Sequence, residues 1–419
     1  MKVLLKKAKI LNSNSPYHGM HKDILIENGF IKKIENSIEE KEATVIESNS
    51  LHVSLGWVDI KSSFCDPGYE HKETLDSGLD AAAAGGYTHV FSLPNTLPIC
   101  DNKSIIEYQF TKSSSHAVQL HPMGAITKTM KGEELAEMFD MMQTGARLFT
   151  DDLKPLNTGM LQRALLYAKN IGATLCLSIR DENLSRNTLV NEGMASIQTG
   201  LKADPSVGEV IQLQTIIKLL QYTESSAHIS GVSCKESIEI IKQAKSNGIS
   251  ISCDVNLMNV LFTEEDVLSF DHNMKVLPVL RSQEDKKNIY SALNNGTIDV
   301  IASDHRPADP EEKEIEFDHA SFGCYQLQTV FSSLHTFSNL ALETIIKIMS
   351  ENPRRMTNID MPLFEIDQPA DLTIFDPNIK WNFSEEKMIS SYNYSPFMNK
   401  DFNGKVIGIF NKNQLVLVD

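Results

Sequence analysis

Apolar and polar positions alternate along this chain in two distinct regimes. Residues 1 to 54 carry short β-leaning runs, Val3 to Ile10, Asp23 to Glu27 and Phe30 to Ile34. Turn signals at Asn12-Ser13-Asn14-Ser15-Pro16 and Asn28-Gly29 separate them. The last sixty or so residues repeat this texture, with strand-like Ala370 to Pro377, Gly404 to Phe410 and Leu415 to Val418. Two β-rich ends around a different middle predict one composite β-sandwich domain from residues 1–54 plus 362–419. In the middle, residues 55–361, strand-like runs alternate with segments of helical period. The strands are predicted at Gly56–Ile60, Thr88–Leu93, Gln119–Ile126, Ala146–Thr150, Thr174–Ile179, Glu224–Ile229, Ile249–Val255 and Ile298–Ser303. The helices are predicted at Leu75–Ala84, Glu133–Met142, Gly159–Asn170, Gly208–Gln221, Lys235–Asn247 and Glu284–Asn294. Alternation of this kind gives parallel sheets, and eight strands give the fold class α/β, a (β/α)8 TIM barrel with its chemistry at the strands' C-terminal ends. A doubly wound open sheet is the alternative, but no Gly-x-Gly-x-x-Gly follows any strand.

Composition narrows the function classes. The chain has 419 residues, with Lys plus Arg 39 against Asp plus Glu 55, a net charge of −16. So acidic a balance argues against a nucleic-acid partner and against an anionic membrane surface. The six cysteines at 65, 100, 176, 234, 253 and 324 are scattered, with no Cys-x-x-Cys. That is the pattern of reduced thiols in a cytoplasm. The apolar run at Met1 to Lys7 is too short for a signal peptide, and no stretch approaches a membrane span, so a cytoplasmic location is expected.

Motifs give the chain a family. Leu55-Gly56-Trp57-Val58-Asp59-Ile60-Lys61-Ser62-Ser63-Phe64-Cys65-Asp66-Pro67-Gly68 runs from an apolar strand into a turn. Downstream, in order, come Ala81-Ala82-Ala83-Ala84-Gly85-Gly86-Tyr87-Thr88, Pro94-Asn95-Thr96, Phe149-Thr150-Asp151-Asp152, Asn191-Glu192-Gly193 and Lys235-Glu236-Ser237. Thr297 to His305, Asn352-Pro353 and Pro369-Ala370-Asp371-Leu372-Thr373 complete the series. Together these resemble the class I dihydroorotases of the amidohydrolase superfamily, over nearly the whole chain.

The resemblance implies a site with two divalent metals, usually zinc. A His-x-His pair on the first strand, a bridging acid, and one histidine each from strands five and six would hold them. Zinc suits imidazole and carboxylate ligands, and lowers the pKa of bound water to ~7. Transferred position by position, however, the histidines fall on Lys61, Ser63, Ser178 and Gly231, and the substrate-carboxylate arginine falls on Cys65. The substrate-side Asn and His positions hold Leu277 and Ala308. What remains is Asp151 at the bridging position, Asp304 at the proton-shuttling position and Asn95 as a remnant of the substrate pocket. His228 lies three residues before Gly231; odd spacing along a strand turns it to the opposite face, as a packed structural histidine. His305 is expected to point away from the mouth, and Glu311 to Glu316 to form a solvated loop or helix start.

Lys61 has two readings. It is a solvated lysine in a polar cavity, or its ammonium replaces the metal charge and neutralises Asp151 and Asp304, within ~4 Å of one of them. Three functional readings follow. The first is a catalytically inactive pseudo-dihydroorotase without a metal cofactor; the resemblance implies a homodimer and a structural partnership with aspartate transcarbamoylase or another pyrimidine enzyme. The second is a cyclic amidohydrolase with zinc held by Asp151 and Asp304, aided by His228 or Cys65. The third is a small-molecule sensor using the old pocket.

Overall fold

The computed structural model describes all residues except 391, 393 and 419. Eight parallel strands form the barrel: Trp57–Ser62, Tyr87–Ser92, Gln119–Pro122, Leu148–Phe149, Thr174–Ser178, Ala227–Ser230, Ile251–Asn256 and Val300–Ala302. The first three make one ladder and the last five another. Single parallel bridges, Gly124 to Phe149 and Ser62 to His305, join the two ladders and close the cylinder. All eight predicted barrel strands are present, with the third ending at Pro122, short of Ile126. Among the described residues no helix is long and apolar enough to cross a membrane.

Local chemistry explains the helices. Leu75–Ala84 starts at Thr74, whose hydroxyl accepts from Ser77 N while Ser77 answers the Thr74 N–H. Its alanine run lets the helix lie close against the barrel. At Gly78 a Cβ would come 2.5 Å from the Phe64 ring. The helix expected over 133–142 is displaced to Met138–Thr144, because Leu135 instead bridges back to Thr127. Helix Lys103–Ser113 escapes the pattern because its buried face is Ile106, Gln109 and Ser113, two of them polar.

Both chain ends contribute to the second sheet. In spatial order its strands are Gln414–Leu417, Asp401–Asn411, Leu372–Asn382, His52–Leu55, Lys2–Leu11, His21–Glu27 and Phe30–Glu35, with Thr44–Ile46 also paired to Lys2–Leu11. By hydrogen bonding this is one continuous sheet where a two-sheet sandwich was expected. The strand Lys2–Leu11 has an irregularity between Leu5 and Ala8, and pairs with Thr44–Ile46 on one side of it and with His52–Leu55 on the other. A bulge of this kind bends a strand without breaking its sheet.

The sheet meets the barrel where His52–Leu55 passes through Gly56 into the first barrel strand. A Cβ at Gly56 would fall 2.0 Å from Thr88 Oγ1 and 2.2 Å from Asp371 Oδ1, so only glycine fits. Fully buried Arg354 donates to Gly56 O and to Asp371 Oδ2 at 2.6 Å. Asp371 Oδ2 also meets His89 Nε2 at 2.8 Å, and His89 Nδ1 lies 3.0 Å from His121 Nε2. Burial lowers both imidazoles below the ordinary histidine range, His121 well below it.

These groups set a pH dependence. The unfolded chain takes up protons at both histidines around pH ~6.5 and the folded chain only at lower pH, so folding stability falls as pH drops through that value. Asp371 is raised by burial but held low overall by Arg354 and His89, so it adds a further loss at more acidic pH. In denaturant titrations from pH 7 to 5, His121→Phe keeps the stack on Phe91 and should flatten the slope by up to about 1.4 kcal/mol per pH unit. An unchanged slope would show that His121 is protonated in the fold.

Candidate functional site

The mouth of the barrel is organised by a buried ion pair. Lys61, on the first strand, directs its Nζ to Asp254 Oδ1 at 3.1 Å and to Ser230 Oγ at 3.0 Å. Lys61 is 7% exposed and Asp254 1%. Asp254 Oδ1 also accepts from Gly231 N at 2.9 Å, while its Oδ2 meets His228 Nε2 at 3.0 Å. On the far side of the imidazole, His228 Nδ1 reaches Ser252 Oγ at 2.8 Å. The first, sixth and seventh strands therefore meet at one carboxylate. Burial opposes the Lys61 charge, but Asp254 and then Asp304 outweigh it and raise its pKa above the usual lysine value. Burial likewise works against the Asp254 charge; Lys61 and His228 reverse that and hold it well below the carboxylate range.

A second ionic knot closes the mouth between strands four and eight. Arg306 grips Asp152 with both terminal nitrogens, at 2.8 and 2.6 Å, and gives its Nε to Asp304 Oδ1 at 2.9 Å. A planar fork on a carboxylate is the strongest form of such pairing. Asp304 Oδ2 in turn accepts from Asn256 Nδ2 at 2.9 Å.

This corrects the expected placement of Lys61. Among the described residues its only carboxylate within ion-pair distance is Asp254; neither Asp151 nor Asp304 is that close. The reason lies in what those acids already hold. Asp151 Oδ1 accepts from Ile126 N at 2.9 Å and Thr127 N at 3.0 Å, and its Oδ2 takes the Thr127 hydroxyl. It fastens the loop after the third strand, and burial raises its pKa despite these bonds. Asp304 is taken by Arg306. Lys61 is also not a solvated lysine.

The remaining positions divide in two. Ser178 is half-buried on the cavity wall with Lys61, His228, Gly231 and Asp254. Ser63, Cys65 and Asn95 form a separate group, Ser63 Oγ lying 3.3 Å from Asn95 Oδ1 and 3.7 Å from Cys65 Sγ. Burial pushes the Cys65 thiol up to about 12, which disfavours a thiolate nucleophile or ligand. His228 is packed as expected, but the opposite-face argument fails: its strand ends at Ser230, and Gly231 at φ 76° lies past it, so both residues line one cavity. A Cβ at Gly231 would point to within 3.9 Å of Lys61 Nζ. His305 does face away, to Glu73 Oε2 at 2.7 Å. Lys313 departs from the solvated run, being buried with its Nζ donating to the carbonyls of His272, Ser321 and Gly323.

Asp254 and Arg306 were the functional residues missed from sequence. The available signals were an acid inside the apolar run Ile251–Val255 and a second charge two residues after Asp304.

These residues do not fit a two-metal centre. An ammonium, two hydroxyls and a glycine stand at the positions where the resemblance implies four imidazoles, and Asp151, the acid it implies as the bridge, is spent on Thr127. Among the described residues no group of three or more His, Cys, Asp or Glu side chains is arranged to hold a metal ion.

Removing one partner of a buried pair strands the other charge. Lys61→Met should cost about 3–5 kcal/mol of unfolding free energy, and Lys61→Met with Asp254→Leu clearly less than the two single changes summed. Urea titration of the four proteins gives the coupling; a value near zero would mean that the pair does not hold the mouth.

Comparison with known proteins places this geometry. The Dihydro-orotase-like family model matches residues 52–237. The dihydroorotase of Aquifex aeolicus is 35% identical over 424 aligned residues, covering 100% of both chains. That of Caldicellulosiruptor saccharolyticus is 35% identical, covering 97% of this chain and 98% of its own. Among solved structures, the L-hydantoinase (dihydropyrimidinase) of Arthrobacter aurescens superposes with a TM-score of 0.84 at 21% identity, over 99% of this chain and 96% of that one. A D-hydantoinase gives 0.83 at 20%, over 100% and 96%. At such identities these two speak for the fold, the (β/α)8 barrel with an attached β domain. With full-length relatives at 35% identity, the chain belongs to the dihydroorotase-like family of amidohydrolases.

Proposed function

We propose that this protein is a dihydroorotase-like member that has given up metal-dependent hydrolysis and acts by binding. One observation carries the reading: the Lys61 ammonium, hydrogen-bonded to Ser230 and Asp254, holds the first-strand position that the family gives to a metal-binding histidine. A zinc ion there would meet an ammonium with no lone pair to donate. Without a Lewis acid or an activated water, a cyclic amide lacks a strong nucleophile.

A second reading has support from the relatives, which are named dihydroorotases. On that reading the protein still hydrolyses a cyclic amide, with zinc at Asp151 and Asp304. Both acids would first have to release Thr127 and Arg306.

Metal analysis of protein purified without chelator, alongside a dihydroorotate hydrolysis assay, separates the two. The proposal expects zinc well below one ion per chain and turnover no faster than the blank, before and after zinc is added. Near-stoichiometric zinc with turnover would establish the second reading.

The binding role includes aspartate transcarbamoylase as partner, the assembly the resemblance implies. Co-purification from the native cell should recover it with this chain. Recovery of no pyrimidine enzyme would remove the partnership while leaving the loss of hydrolysis standing.

A further inference from the structure

The cavity at the barrel mouth, about 720 Å³ including space open to solvent, has an unequal hydrogen-bonding ledger. The carboxylates lining it are spent. Asp254 serves Lys61, Gly231 N and His228. Both oxygens of Asp152 serve Arg306. Asp204 serves Arg281 and Thr188, and Glu209 serves the backbone of Ser233 and Cys234 and the Ser233 hydroxyl. Its donors are in surplus. The Lys61 ammonium has three protons and two protein acceptors, with its side chain 9% exposed. Ser230 Oγ accepts from Lys61, and among the described residues its own proton has no acceptor. Arg180 gives Nη2 to Ser185 O and Thr188 Oγ1, but its buried Nε has no partner. Ile60, Leu93, Met123, Ile179, Leu277 and Val279 give the wall an apolar part, beside the hydroxyls of Thr150, Ser178 and Ser185.

Donors in a largely enclosed wall that lack a protein acceptor leave hydrogen-bonding free energy that a ligand can recover. We propose that this cavity binds a small carboxylate with an apolar body, its oxygens meeting Lys61 Nζ and the Ser230 hydroxyl and its body lying against the apolar wall. The chemistry selects a carboxylate over an amide or cyclic ureide. Those bring N–H donors of their own, and the side chains lining this cavity offer no unspent carboxylate to receive them. A carboxylate brings acceptors alone. The inference rests on the metal-free reading of the mouth, because a metal ion there would displace the Lys61 ammonium.

Benzoate and cyclohexanecarboxylate serve as probes, with benzamide and acetate as comparisons, titrated calorimetrically into the full chain with zinc content measured on the same sample. Benzoate or cyclohexanecarboxylate should bind at least about tenfold more tightly than benzamide or acetate and raise the melting temperature. Ser230→Ala, which removes a half-buried hydroxyl and leaves the ion pair, should weaken the carboxylates about three- to tenfold and leave benzamide unchanged. Met123→Trp, which fills the apolar wall, should abolish binding; circular dichroism shows whether each variant is folded. Binding equal for benzoate and benzamide, or unaffected by Ser230→Ala, overturns the proposal. So does zinc-free, non-hydrolysing protein that binds neither carboxylate at ~10 mM, an outcome that leaves the proposed loss of hydrolysis intact. Zinc-dependent binding, abolished by chelator, would overturn the metal-free reading itself.

Discussion

A charged amine inside a barrel must be matched, because stripping its water costs several kcal/mol that only a well-placed partner returns. Lys61 meets that requirement through Asp254, and the mouth is arranged around the pair. Strand six supplies Ser230 to the ammonium and His228 and the Gly231 amide to the carboxylate. Strand seven carries Asp254 itself, and its Ser252 steadies the imidazole from below. A TIM barrel usually fills its interior with layers of branched apolar side chains. Here a polar chain, Ser252–His228–Asp254–Lys61, runs up through the interior instead, with every link near 3 Å.

That arrangement depends on the first strand entering the barrel at a fixed register, and the fold supplies the fixing point. Gly56, Arg354, Asp371 and His89 lock the passage from the second sheet into Trp57–Ser62, while Trp57 packs against Tyr87, Phe331 and Phe375. A one-residue slip there would turn Lys61 out of the barrel. The same passage is where the two ends of the chain meet, since Leu372–Asn382 pairs with His52–Leu55. The second sheet thus fixes the position of the mouth's principal cation.

Much of the fold was legible because barrel strands are short apolar runs between turn signals, and Leu75–Ala84 announces itself through Thr74 and its alanines. Lys103–Ser113 was not, since Gln109 and Ser113 occupy its buried face. The site was legible by position and illegible by contact. Motif order placed Lys61, Ser178 and Gly231 at the mouth, and the structure puts all three on one cavity. The partner of Lys61 lies 193 residues away in sequence, and an isolated acid in an apolar strand does not declare what it will meet. Asp151 misled for a related reason: the residue is retained, but the Thr127 hydroxyl and two backbone amides compete for it locally and win. His228 and Gly231 share one cavity despite their odd spacing because the strand itself ends at Ser230.

Under the proposed reading, the Lys61 ammonium held by Asp254 stands at the first-strand position where the resemblance implies a metal ligand. Diffraction from crystals grown with excess zinc, measured on both sides of the zinc absorption edge, tests it most directly. No anomalous peak is expected in the barrel mouth, and Lys61 Nζ should lie within hydrogen-bonding distance of Asp254 Oδ1. A peak at coordination distance from Asp151 or Asp304, with Lys61 swung aside, would contradict it.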